Sequence, residues 1–213
     1  MALRTRKNTK ISPAHAPLNI FLVGDLGAGK ATQSAFIKRE FGLHEFDFGL
    51  EQALLRKKDR ALDAFLKKTV DIGKLTPTKV YRAVVSAAIQ KIKPSQGILF
   101  DGGPRMPGEV RMVSKLLAKQ KRTRSICIYL TVPKAEAIRR IQSRQGYFGT
   151  GKRVDDSPQA IYNRFKYVQA SVRQAREVYK TLYPFAVVSG LGTVEQVHER
   201  VLKTIKRLEK KLD

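Results

Sequence analysis

The sequence predicts an α/β fold in which a five-stranded parallel sheet is covered by helices on both faces. Three observations point there. Five short apolar runs alternate along the chain with longer stretches of helical periodicity. Those runs are apolar at nearly every position rather than at every second one, as strands are when both faces of a sheet are buried. The first run also passes through a glycine-rich loop directly into a helix.

Asn19 to Gly24 reads as the first buried strand, and Lys30 to Phe41 as the first helix. Leu43 to Phe48 is a weaker strand. Gly49 to Val70 is amphipathic and basic on its polar side, as in Leu54-Leu-Arg-Lys-Lys-Asp-Arg60, and reads as helix. Thr76 or Pro77 opens another helix toward Ile92. Gly97 to Asp101 is a strand ending in a carboxylate, Val110 to Lys121 is helical, and Ser125 to Thr131 is a strand of β-branched and aromatic residues. Pro133 begins the next helix at its first turn, where a missing N–H costs nothing. After the break Gly146-Tyr-Phe-Gly-Thr-Gly151, a long helix starts at Ser157, whose hydroxyl is placed to cap it. Phe185 to Ser189 is the last strand and Val194 to Leu212 the last helix. No internal repeat is visible.

The 213 residues hold 42 Lys+Arg against 18 Asp+Glu, a formal charge of +24. That excess fits a nucleic-acid or membrane surface, an anionic small-molecule substrate, or the compositional habit of the source. A hydrophobic fraction of 42% excludes wholesale disorder and allows one domain with small inserted lobes. No apolar run nears the roughly 18 residues that cross a bilayer, so no membrane association is expected. Cys127 is the one cysteine, which excludes an intramolecular disulfide framework and a thiolate zinc cluster and fits a reducing, cytoplasmic setting. Residues 1–18 carry Arg4, Arg6, Lys7 and Lys10 with no acid, and read as a basic arm ahead of a domain at 19–213. Pro13 and Pro17 count against the alternative of an amphipathic transit peptide.

Gly24-Asp-Leu-Gly-Ala-Gly-Lys30 fits the G-x-x-x-x-G-K phosphate-loop pattern between a buried strand and a helix. The glycines let backbone N–H groups converge on phosphate oxygens, the helix N-terminus adds a favourable dipole, and Lys30 reaches the β- and γ-phosphates. Ala31 stands where the general pattern has a hydroxyl, which arrives one residue later at Thr32.

The run through Thr32 and Gln33 resembles the adenylate-kinase-like nucleoside monophosphate kinases, and further motifs follow at matching separations. These are Gly73-Lys74-Leu75 before a helix, Asp101-Gly-Gly-Pro-Arg105, an arginine pair at Arg140 and Arg144, Arg153-Val-Asp-Asp156, and Arg164. The resemblance implies a phosphate-loop sheet with a small helical acceptor lobe at about 47–76 and a short lid at about 145–156. The implied activity is transfer of the γ-phosphate of Mg-ATP to a nucleoside monophosphate, most simply AMP, by a monomer. On the ATP side it assigns the loop (Gly24, Gly27, Ala28, Gly29, Lys30, Ala31, Thr32), Arg140 against the adenine, Arg144 on the phosphates, and Gly192 in the loop bordering the adenine. Acceptor binding falls to Phe48, Gly49, Arg56, Lys74, Leu75, Thr76, Gly102, Gly103, Arg105, Glu109, Arg153 and Arg164. Lys30, Arg105, Arg144, Arg153 and Arg164 are the implied catalytic cations. Magnesium is held by Thr32 and, through water, by Asp101.

The acceptor half departs from the family pattern. Where the family has Thr-Gly-Asp-x-x-Arg, this chain reads Phe48-Gly49-Leu50-Glu51-Gln52-Ala53, leaving Arg56, one turn on, as the stand-in arginine and Glu51 as the stand-in carboxylate. Gly103 replaces the signature phenylalanine and Glu109 a base-reading glutamine, so Phe48 and Gly103 together represent an exchange of aromatic surface between two pocket walls. His15, His44 and His198 form no ligand cluster and read as structural or solvated. Two other functions remain open: another small-molecule kinase on the same fold, and a nucleotide-binding RNA- or ribosome-associated protein. The second draws on the basic clusters Lys119-Gln-Lys-Arg-Thr-Arg124 and Lys206-Arg-Leu-Glu-Lys-Lys211.

Overall fold

The computed structural model describes residues 16–72, 75–143 and 158–212. The basic arm up to His15, Gly73, Lys74, Arg144, the whole lid segment at 145–156 with Arg153, and the Ser157 cap therefore lie outside the described residues. Strands β1 (Asn19–Gly24), β2 (His44–Asp47), β3 (Ile98–Asp101), β4 (Ser125–Thr131) and β5 (Phe185–Ser189) form one sheet in the order β2-β3-β1-β4-β5. Every neighbouring pair is parallel. Alternation along the strands sorts the core into two layers, because successive side chains leave opposite faces of a pleated strand. Phe21, Val23, Phe46, Phe100, Cys127 and Tyr129 pack beneath helices α4 (Thr78–Lys91), α5 (Pro107–Lys119) and α8 (Gln169–Leu182). Ile20, Leu22, Leu99, Ile126, Ile128 and Leu130 pack beneath α1 (Lys30–Phe41) and α9 (Val194–Glu209). The Phe21 and Phe100 rings stack at 4.5 Å across the central strands.

Asn19 ties the strand N-termini together. Its Nδ2 donates to the Arg124 carbonyl (3.0 Å) and the Ser125 hydroxyl (3.2 Å), and its Oδ1 accepts from the Ile98 N–H (3.3 Å). At the opposite edge the strand C-termini open onto the glycine loop, Asp101 and Thr131.

The long helix expected across Gly49 to Val70 is two helices, α2 (Phe48–Arg56) and α3 (Arg60–Lys67), followed by a 3₁₀ turn (Val70–Ile72). The break comes at Asp59, whose carboxylate accepts from the Leu62 N–H (2.9 Å) and starts a new helix instead of continuing the old one. Phe48 begins α2 rather than ending a strand, because Asp47 accepts from the Gly49 and Leu50 N–H groups at 2.7 and 3.2 Å. Helix α6 (Lys134–Gln142) follows Pro133, and α7 (Pro158–Asn163) runs through a π-helical turn (Arg164–Val168) into α8. Helix α5 starts three residues before the expected Val110, at Pro107. Among the described residues no helix is long and apolar enough to cross a membrane.

Candidate functional site

The loop after β1 is packed against its surroundings as well as open to phosphate. Gly24 has φ 144°, and a Cβ there would lie 2.0 Å from the Leu130 carbonyl oxygen, so only glycine lets β1 turn away so close to β4. A Cβ on Gly190 would lie 2.7 Å from the Ala28 carbonyl, so the loop after β5 lies directly on the glycine loop. Arg140 completes this corner. Its Nη1 donates to the Gly190 carbonyl (3.0 Å) and its Nε to Glu136 (2.6 Å), which fixes the guanidinium beside the Gly190–Gly192 turn. Residues far apart in sequence thus build one wall. Gln33, the last residue of the loop motif, serves the scaffold: it donates to the Val194 carbonyl (3.0 Å) and its carbonyl meets His198 Nδ1 at 3.0 Å, joining α1 to α9.

Sequence reasoning passed over Asp25, although an acid beside a phosphate loop is unusual enough to have been a signal. Its carboxylate accepts from the Tyr129 hydroxyl (2.7 Å), the Thr131 hydroxyl (2.7 Å), the Val132 N–H (3.1 Å) and Gln169 Nε2 (2.5 Å). Burial alone would raise its pKa, but these four bonds together hold it below the usual carboxylate value. Gln169 also accepts the Leu26 N–H at 3.0 Å. The start of α8 is therefore latched to the glycine loop by both ends of one amide, one residue after the π turn that begins at Arg164. Nothing in the spacing of Gln169 announces that role.

The charged groups meet where β1 and β3 end side by side. Lys30 Nζ donates to the Gly24 and Asp25 carbonyls at 3.1 and 2.7 Å. Burial pushes its pKa down to about 8, with Asp101 and Asp25 opposing the fall and Arg105 and Arg164 adding to it. Those four charges are thus close enough to act on the amine. A Cβ on Gly102 would lie 3.6 Å from Lys30 Cε and 3.7 Å from Arg105 Nη2, and Arg105 Nε donates to the Gly102 carbonyl at 2.9 Å. Burial lifts Asp101 to about 6; Lys30 opposes the rise, and Asp47 and Glu45 on the adjacent strand add to it. Arg164 is buried on the π turn, a helix irregularity that often marks functional positions.

The glycine loop, Lys30, the strand-end Asp101, Arg105 and Arg164 come together from separate elements, and comparison with known proteins gives the family. The family model described as adenylate kinase matches residues 22–183. The chain belongs to the adenylate kinase family. An adenylate kinase of Phocaeicola vulgatus is 28% identical over 191 residues, 90% of this chain and 100% of that protein. Those of Bacteroides fragilis (28% over 191 residues) and Flavobacterium psychrophilum (29% over 192 residues) cover the same shares. Membership makes the chain a nucleotide-binding transferase, a nucleoside monophosphate kinase by class.

The residues that the resemblance assigns to the acceptor make the following contacts. Arg56 forms ion pairs within its own lobe: Nε to Asp63 (2.6 Å), Nη1 and Nη2 to Asp71 (2.7 and 2.8 Å). Glu109 is buried, and its Oε2 accepts the backbone N–H groups of Arg105 (3.0 Å) and Met106 (3.1 Å), so it caps α5 and fixes the chain that carries Arg105. Thr76 accepts from the buried Gln52 amide at 2.9 Å. Phe48 packs on Tyr81 with ring centroids 4.6 Å apart, and Leu75 lies in the same cluster. Tyr81, overlooked in the sequence, sits between Phe48 and the Gly103 backbone.

For a magnesium ion the residues present fit. Asp101 and Thr32 offer hard oxygen ligands, and a carboxylate with a raised pKa beside further acids is relieved by a divalent cation. No group of three His, Cys, Asp or Glu side chains exists among the described residues, so such an ion would take most of its ligands from phosphate and water.

Proposed function

We propose that the protein transfers the γ-phosphoryl group of Mg-ATP to a nucleoside monophosphate, with AMP as the acceptor. The observation that carries this reading is the convergence of Lys30, Asp101, Arg105 and Arg164 over the glycine loop. An acceptor phosphate oxygen attacks the γ-phosphorus, the bond to the β-bridging oxygen breaks, and ADP leaves with that electron pair. The attacking phosphate is already anionic, so no general base is needed, and the lack of a histidine cluster is no obstacle. Two nucleotides meeting phosphate to phosphate repel one another. Lys30 and Arg144 on the donor side and Arg105, Arg153 and Arg164 on the acceptor side offset that repulsion and stabilise charge spreading over the transferring group. Asp101 and Thr32 would hold magnesium, which supplies neutralisation of the phosphate oxygens.

Arg140 and the Gly190–Gly192 turn border the donor adenine in this reading, and Phe48, Gly49, Leu75, Thr76 and Gly103 line the acceptor base. Arg56 contributes through the lobe's ion pairs. The 47–76 lobe and the 145–156 lid close over the pair and exclude water, and the protein acts as a cytoplasmic monomer. The test is turnover with Mg-ATP and each of AMP, CMP, UMP, GMP and dTMP. Formation of ADP and the matching diphosphate, abolished in Lys30→Ala, is the expected result; no turnover with any acceptor would refute it.

A second reading concerns RNA, and one observation favours it. Exposed lysines at the C-terminal ends of α4, α5 and α9 collect on the edge of the sheet away from the glycine loop. Salt-sensitive binding of single-stranded RNA alongside full turnover would support an added contact there.

A further inference from the structure

Tyr81 lies at the centre of the acceptor half, and no motif assigns it a role. It lies on α4 five residues after Thr76, is 3% exposed, and packs tilted against Phe48 with ring centroids 4.6 Å apart. Its hydroxyl is buried and has no hydrogen-bond partner among the described residues. Two other tyrosines of this core differ, Tyr129 donating to Asp25 (2.7 Å) and Tyr179 to the Pro104 carbonyl (3.0 Å), while the Tyr183 hydroxyl is also buried without such a bond but packs on Phe21, away from Gly103. The unpartnered hydroxyl faces Gly103, where a Cβ would sit 3.7 Å away in ordinary contact. A larger side chain at 103 would lie directly against it. The aromatic surface absent at Gly103 is thus supplied by the Phe48 and Tyr81 pair, and this wall carries a polar atom that a phenylalanine would lack.

We infer that Tyr81 is the base-reading residue of this chain: its hydroxyl, bare in the free protein, hydrogen-bonds an edge atom of the acceptor's base, and so selects among nucleoside monophosphates. The inference rests on the kinase reading for the location of the acceptor. Buried hydroxyls are costly to leave unpaired, and a pocket built around one discriminates strongly against a ligand that cannot pair with it. Glu109 and Arg105 both act electrostatically on the phenol, which places it beside the segment that grips the acceptor.

The experiment is calorimetric titration of the full chain with AMP, CMP, GMP and UMP, run in parallel for Tyr81→Phe and Tyr81→Val, with thermal midpoints and ATP affinity as companions. In Tyr81→Phe the preferred monophosphate should bind at least tenfold more weakly and its lead over the others should shrink. ATP affinity should hold, and the thermal midpoint should stay level or rise because no bond of the free protein is lost. A lowered midpoint with unchanged monophosphate binding would make the hydroxyl a structural group and overturn the inference, as would a parent that binds none of the four. Binding that weakens selectively in Tyr81→Phe while the parent shows no turnover would keep Tyr81 as base reader and defeat the kinase reading instead.

Discussion

Lys30 and Asp101 are partly buried neighbours whose protonation is tuned in opposite directions. The lysine is driven down to about 8 and the aspartate up to about 6, so both carry charge between those values. Nucleotide phosphates need the lysine protonated, so ATP affinity of the free protein should fall as pH rises through 8, measured by fluorescence titration from pH 6.5 to 9.5. Lys30→Ala should lose turnover by at least ~10²-fold and show no such pH dependence. For Asp101 the consequence is in stability. Its folded pKa lies above the unfolded value, so between about pH 4 and 6 the folded protein holds a proton that the unfolded chain has released, and stability drops as pH rises through that window. Asp101→Asn should remove that drop, on the order of 3 kcal/mol, in thermal melts of parent and variant compared at each pH.

At the scale of elements, the phosphate site is a product of sheet order. Because β3 and β4 flank β1, the ends of three strands deliver the glycine loop, Asp101 and Thr131 to one edge. Helix α8 is held there by the Gln169 amide on Asp25 and Leu26. Gln169→Leu strands the Leu26 N–H and removes one of the four bonds to the Asp25 carboxylate, and should cost roughly 1–3 kcal/mol in denaturant unfolding. It should also raise KM for ATP and lower kcat, since the π turn bearing Arg164 loses its anchor to the loop. Local sequence explains why Lys30–Phe41 and Ser125–Thr131 were legible in advance: the helix is bounded by Gly29 and Gly42, and the strand is an almost unbroken run of apolar and aromatic residues. The glycine loop was legible because phosphate binding constrains residue type and separation, while Asp101, Arg105 and Arg164 stood out only through the resemblance to the kinase family. The α2–α3 break was not, because it turns on Asp59 capping where amphipathicity runs on unbroken. The pairing of Arg56 with Asp63 and Asp71, 7 and 15 residues away, was likewise not legible, because no local pattern announces it. Tyr81 and Gln169 stayed hidden for a similar reason: each acts on residues brought near only by the fold.

The formal charge of +24 far exceeds what the site uses, and the fold shows how part of it is arranged. In a parallel sheet the helices run back against the strands, so helix C-termini gather at the strand N-terminal edge. Three contacts mark that gathering. Arg122 is buried and donates to the Ile92 (3.1 Å), Lys93 (2.7 Å) and Gln96 (2.6 Å) carbonyls just past α4. Arg124 pairs with Glu209 near the end of α9 at 3.2 Å, and the Gln96 amide meets the Gly42 carbonyl after α1 at 3.4 Å. Two arginines of the Lys119–Arg124 cluster are therefore structural. Lys119, Lys121, Lys206 and Lys210 are exposed beside them, and lysines at helix C-termini also favour the helix dipole. The two accounts separate by salt. If these lysines meet RNA phosphates, the fourfold lysine-to-glutamine variant should reduce the slope of log affinity against log salt by about 3 for single-stranded RNA, from ~0.7 per phosphate contact. Kinase turnover should be unchanged, since the glycine loop is at the other ends of the strands. A slope that stays the same while the thermal midpoint falls would leave those four lysines to the helix dipoles alone, with the remaining charge serving neither partner nor site.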